Sequence, residues 1–235
     1  MNPTLIHTQS GLSKLKLFFA LYRTPHGLLD MATPALAALL WYGSFPPLRI
    51  IVLGLITAFA GGILLEAIYC IMWKSSWLKV LISGAVKTSG AMAAVFAIDP
   101  QPSFLPLILL FLFLWLFFWE IGGQNIPNDW ADIEEDRVLR ATTIPVRFGP
   151  VFANGVIFFS LLLAVILNGI SVGLPPVGTR FAGVAASLGA GIYLLLIPAY
   201  RLYRTKGQMQ DLALFNSASY YPITLLAVVI IAACT

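Results

Sequence analysis

Charged side chains are scarce in this chain: Asp, Glu, Lys and Arg supply only 10% of its 235 residues, beside two histidines and two cysteines. Soluble globular domains carry roughly 25% charge, so an ordinary water-soluble fold is excluded. Cys70 and Cys234 lie in or at the end of apolar segments without metal-ligand spacing, which leaves neither a disulfide framework nor a zinc site. Alternation of apolar and polar residues at period two is absent, and with it the mark of a membrane β-barrel strand. There is no Gly-rich Walker loop to cradle a nucleotide. The basic residues are scattered among connections instead of forming a patch interleaved with aromatics, so the net charge of +4 does not signal nucleic acid.

What remains is abundant apolar sequence, 59% of the residues, with a mean hydropathy of +0.89. About seven segments are long enough to approach or span a bilayer, with limits near 28–43, 47–73, 77–98, 104–125, 150–168, 181–200 and 213–233. Spans without barrel periodicity satisfy their own backbone groups as helices, so the expected fold is all-α, a polytopic transmembrane bundle in one membrane-embedded domain over residues 1–235. Residues 1–20 read as a short, mildly basic leader along the membrane surface, with no small-residue cleavage site behind Lys14 and Lys16. The 169–180 stretch, with Pro175 and Pro176, reads as a turn region.

Basic residues set the expected orientation. With the N-terminus in the cytoplasm, Lys14, Lys16, Arg23, Lys74, Lys79, Arg137, Arg140, Arg147, Arg201, Arg204 and Lys206 fall inside, and only Arg49 and Arg180 fall outside. The connection between the fourth and fifth spans then faces the cytosol. Lys87 is different, since it lies about ten positions into the third span and eight residues beyond Lys79. An ionisable group at that depth is a site candidate, or a side chain that snorkels toward a polar gap. Glu66, near the inner end of the second span, is a weaker candidate of the same kind.

Five of the ten carboxylates fall within eight residues, at Asp129, Asp132, Glu134, Glu135 and Asp136. Within WEIGGQNIPNDWADIEEDRVLRATTIPVRFG, the residues Asn125, Asn128, Asp132 and Asp136 recur at intervals of three, four and four, the spacing of one helical face. Pro127 loosens that phasing locally. Two carboxylates one turn apart, preceded by a carboxamide, offer hard oxygen ligands suited to a hydrated magnesium ion bridging to phosphate oxygens. Arg137 and Arg140 follow directly and are placed to take further phosphate oxygens. A solvated acidic loop with compensating arginines is the plainer alternative.

The stretch NDWADIEEDRVLRATTIPVRFG resembles the second aspartate-rich motif of the UbiA superfamily of intramembrane prenyltransferases, with Asp132 and Asp136 as the matching DxxxD pair. FNSASYYP at 215–222 resembles the start of that family's last helix, and RTPHGLLDMATPALAALL at 23–40 its first. The resemblance implies a helical bundle with a cavity open to lipid and magnesium bridging aspartates to an isoprenyl diphosphate. It further implies an allylic cation captured by an electron-rich aromatic or quinone-precursor acceptor. Asp132 and Asp136 become the catalytic metal ligands, supported by Asn128, Asn125, Asp129 and Glu66, with Lys79, Lys87, Arg137 and Arg140 at the diphosphate. Phe111, Trp115, Phe118 and Trp119 are candidate walls around the cation, or simple packing residues.

The chain departs from the family's pattern at one place. It shows two fewer spans than the usual nine, and no acidic residue lies between Glu66 and Asp99, where a first aspartate motif would precede IYCIMWKSSWLKVLISGAV. Either the site holds one magnesium, with Lys79, Lys87, Arg137 and Arg140 neutralising the diphosphate in place of a second, or Glu66 stands in for part of the absent motif, or two chains share a site. A non-catalytic relative that binds an isoprenoid or a membrane partner is the rival expectation. A transporter ranks last, because the carboxylates gather at one membrane face and no inverted repeat is evident.

Overall fold

In the computed structural model, the described residues are 32–42, 48–49, 52, 67–72, 75–99, 107–174, 181–205 and 208–234, and all regular structure among them is helical. The main elements are α1 (Ala32–Tyr42), α2 (Lys79–Ile98), α3 (Leu107–Ala131), α4 (Ile133–Val138), α5 (Ile144–Gly173), α6 (Phe181–Thr205) and α7 (Gln208–Cys234). Five of these, α2, α3, α5, α6 and α7, are long and apolar enough to cross a membrane, and α1 is a shorter apolar helix. The bundle is therefore polytopic and all-helical, as expected. The second expected span, most of 47–73, lies outside the described residues, as do Glu66 and the 1–20 leader.

Sequential helices pack side by side in the order α1, α2, α3, α5, α6, α7, and α7 returns to α1, so the helices form a closed ring. Helices α3 and α7 also meet across the ring. The sequence LILLFLFLWLFFW, which begins α3, is apolar on every side, the pattern of a membrane span, and it buries Leu109, Leu112, Trp115, Leu116 and Trp119 in the bundle. Trp115 and Trp119 are fully buried there.

The α3 helix widens into a π-turn over Glu120–Asn125, where Gly122 and Gly123 stand together. A Cβ on Gly122 would lie 2.9 Å from the Ile157 carbonyl oxygen of α5, and one on Gly123 would lie 2.9 Å from Ala218 Cβ of α7. The glycine pair thus lets both neighbours approach the α3 backbone directly. Across the same contact, Pro222 inside α7 has no N–H to give the carbonyl one turn earlier, that of Ala218. Trp119 Nε1 donates to that Ala218 oxygen at 3.0 Å. Within lipid, where water cannot take the freed carbonyl, this indole is the substitute donor.

Helix boundaries run further than hydropathy predicts. The fourth expected span, 104–125, continues as α3 to Ala131, and the last, 213–233, begins at Gln208. At the end of α3 the polar Asp129 stays helical with a partner, Lys79, on a neighbouring helix, which a hydropathy window cannot register. The start of α5 is kinked at Gly149, whose φ of 81° is left-handed, and Pro150 then opens the long membrane segment.

Candidate functional site

The starts of α2, α5 and α7 and the ends of α3 and α6 meet at one end of the ring, and the chain's chemistry collects there. Lys79 opens α2 and Asp129 lies in the last turn of α3, so antiparallel packing brings them together across 50 residues of sequence. Lys79 Nζ stands 2.6 Å from Asp129 Oδ1, and the residues are 1% and 6% exposed. Tyr69 borders the pair: its ring centre is 6.0 Å from Lys79 Nζ, and its hydroxyl accepts from Asn125 Nδ2 at 3.4 Å.

One turn deeper along the same face of α2, Ser83 donates to Glu120 Oε1 at 2.6 Å, again buried. Lys87 follows another turn on, half-buried. Lys79, Ser83 and Lys87 therefore form a polar stripe at intervals of four down an otherwise apolar helix. On the α7 side, Gln124 Nε2 donates to Ser219 Oγ at 3.2 Å and to the Phe215 carbonyl at 3.4 Å. The FNSASYYP segment is thus the face of α7 that grips the end of α3.

The aspartate motif does not lie on one unbroken helix. Asp132 takes a non-helical conformation, φ −96° and ψ 13°, which ends α3 and starts the short α4. The π-turn upstream ends at Asn125, before Asn128, Asp132 and Asp136. Asn125 and Asp136 are buried, Asn128 is half-buried and Asp132 is exposed. The Asp132 N–H still donates to the Asn128 carbonyl at 3.3 Å and the Asp136 N–H to the Asp132 carbonyl at 2.9 Å, so the period-four spacing runs through the break. Asp129, Asp132 and Asp136 remain within electrostatic range of one another.

Arg137 and Arg140 both project from the exposed side of α4 and its end. Arg137 Nη1 lies 2.8 Å from Glu134 Oε1, an open pair one turn apart. Arg140 has a φ of 52°, and the Ala141 N–H behind it donates to the Asp136 carbonyl at 2.8 Å, closing the helix in a Schellman arrangement. Arg147, at the start of α5, lies over the rings of Trp77 and Phe148, at 6.0 and 5.3 Å from their centres. Among the proposed wall residues, Trp119 is committed to Ala218, and Trp115 packs edge-on to Tyr221 with centroids 6.1 Å apart. Phe111 and Phe118 are half-buried.

Asp211 is the carboxylate that sequence reasoning passed over, because it precedes the expected limits of the last span. It sits in the first turn of α7, fully buried, in electrostatic contact with Asp132 and Asp129. An acidic residue just before the last expected span, at the membrane face where the acidic cluster was also expected, was the available signal. Between α6 and α7 an open groove of about 500 Å³ is lined by apolar residues, including Ile197 and Met209, with Arg201 among them.

This arrangement defines a helical membrane protein whose carboxylates and cations converge at one end of the bundle. Residues 31–221 match the UbiA prenyltransferase family, and the chain belongs to that family. No curated protein and no solved structure matches it.

The family implies magnesium. The donors at this end are hard carboxylate and carboxamide oxygens, and Asp211 has two buried oxygens that no group among the described residues satisfies. That chemistry fits the ion. Among the described residues, no three Asp, Glu, His or Cys side chains converge as a ready-made metal cluster, so binding would have to draw ligands inward.

Proposed function

We propose that this protein is a magnesium-dependent membrane prenyltransferase acting on an isoprenyl diphosphate and an aromatic or quinone-precursor acceptor, in the manner of a 4-hydroxybenzoate polyprenyltransferase. The observation that carries this reading is the gathering of Asp129, Asp132 and Asp136 with Lys79 at one end of a UbiA-family bundle. Asp132 and Asp136, with Asn128, would hold the metal. When bound, it would neutralise the diphosphate and stabilise the charge that develops as this group leaves.

The cationic side chains have the complementary task. Arg137 and Arg140 project where a diphosphate arriving from water meets the membrane surface, and each offers a planar fork to phosphate oxygens. Lys79 spends one ammonium N–H on Asp129, which leaves two for the diphosphate. Lys87 extends the positive stripe one step deeper, toward the bond that breaks. The allylic C–O bond breaks with its electron pair going to the diphosphate. An acceptor ring carbon then bonds to the allylic carbon and loses its proton. The groove between α6 and α7 gives the isoprenyl chain a lateral route from lipid.

The site and the N-terminus are proposed to face the cytoplasm, since Lys79, Arg137, Arg140, Arg147, Arg201 and Arg204 share one end of the bundle. Turnover of geranyl diphosphate with an aromatic acceptor, with and without magnesium, tests the reading. Asp132→Asn and Asp136→Asn should each abolish turnover in a protein that still folds. Retained activity in either variant would remove the metal assignment. The rival, a non-catalytic isoprenoid-binding relative, draws on the lack of any acidic residue between Glu66 and Asp99. It predicts diphosphate or isoprenoid binding with no turnover in the wild type.

A further inference from the structure

The fold brings one more carboxylate to this end of the bundle than the aspartate motif contains. Asp211 is 0% exposed, and neither of its oxygens has a hydrogen-bond partner among the described residues. Among the described residues, the carboxylates of Asp132 and Asp129 stand near enough to act on it, and both are negative. Lys79, the ammonium in this cluster, is already held by Asp129. A carboxylate enclosed in protein, unpartnered and beside two others is strongly unfavourable as a bare anion, and either a proton or a metal cation relieves it.

Asp132 lies on the open side of the cluster. It occupies the joint between α3 and α4 and is exposed, where a cation arriving from water meets the chain. Asp211, by contrast, is carried on the long α7, which Gln124 and Trp119 tie to α3. A buried carboxylate on α7 thus stands within electrostatic range of an exposed one at the end of α3. Resting on the metal site of the proposed function, we propose that Asp211 is a ligand of a divalent cation shared with Asp132. The last helix then supplies a carboxylate opposite the motif, in a chain whose sequence has no first aspartate motif. The cation is of the hard, oxygen-seeking class, magnesium or manganese.

The test is Mn2+ binding to the detergent-purified full chain, followed by electron paramagnetic resonance, for the wild type, Asp211→Asn and Asp132→Asn. Both variants should bind Mn2+ about tenfold more weakly or worse, because each removes one charged ligand. Thermal melting with and without Mg2+ accompanies it. Asp211→Asn should melt no lower than the wild type without metal, since it removes a buried unpaired charge, and should lose the rise that Mg2+ gives the wild type. Weakened binding in Asp132→Asn with unchanged binding in Asp211→Asn would overturn the Asp211 ligand and leave the proposed function standing. The reverse pattern would overturn the shared site. A wild type that binds no Mn2+ would overturn both.

Discussion

Replacing Lys79 with Met should be among the most destabilising single changes in this protein, and the reason is electrostatic. At 2.6 Å the Lys79–Asp129 attraction amounts to about 6 kcal/mol at an effective dielectric constant near 20, before desolvation is subtracted. Removing one partner from a buried pair leaves the other charge stranded, at a cost of about 3–5 kcal/mol. Lys79→Met should reach the upper part of that range, because Asp129 would face the neighbouring Asp132 and Asp136 with no ammonium beside it. Asp129→Asn should cost less, since those same carboxylates stay near Lys79. The double variant carries no stranded charge, and its loss should fall about 2–3 kcal/mol below the sum of the single losses. Denaturant titration in detergent micelles, followed by tryptophan fluorescence and circular dichroism, measures all three. Losses that add to within about 0.5 kcal/mol would refute the pairing. So would strong weakening of the coupling by added salt, which screens exposed pairs but not buried ones.

Trp119→Phe removes the donor to the Ala218 carbonyl and should cost about 1–3 kcal/mol by the same titration. In a Pro222→Ala background, where residue 222 regains its N–H for that carbonyl, the loss should shrink, and an equal loss in both backgrounds would reject the compensation. Gly122→Ala forces a methyl group to within 2.9 Å of the Ile157 carbonyl oxygen and should cost about 1–3 kcal/mol. Gly155→Ala meets nothing within 4 Å and should be neutral or gain up to about 1 kcal/mol from helix propensity, so equal melting of the two variants would contradict the packing. Arg140→Gly relieves a left-handed residue with a φ of 52° and should raise stability by about 1 kcal/mol, read as a higher melting temperature. If Arg140 takes phosphate oxygens, the same variant should bind geranyl diphosphate more weakly, and unaltered affinity would remove it from the site.

The sequence by itself determined the solvent and the class. Apolar runs with few charges admit only self-satisfied helices in a bilayer, and those helices are present in α2, α3, α5, α6 and α7. NDWADIEEDRVLRATTIPVRFG carried the family, because an acidic–basic run of that order is local and survives whatever the helices do around it. What local pattern could not decide was which acids are buried and with whom. Asp129, read as a supporting residue, is the acid paired with Lys79, and Asp132, read as its equal in phase with Asp136, is exposed at a helix break. Asp211 entered the cluster only through the packing of α7 on α3, roughly eighty residues away along the chain. Hydropathy and spacing act over a turn or two of helix, whereas the protonation, pairing and burial of a carboxylate depend on charges arriving from distant segments. Tertiary structure alone supplies those neighbours.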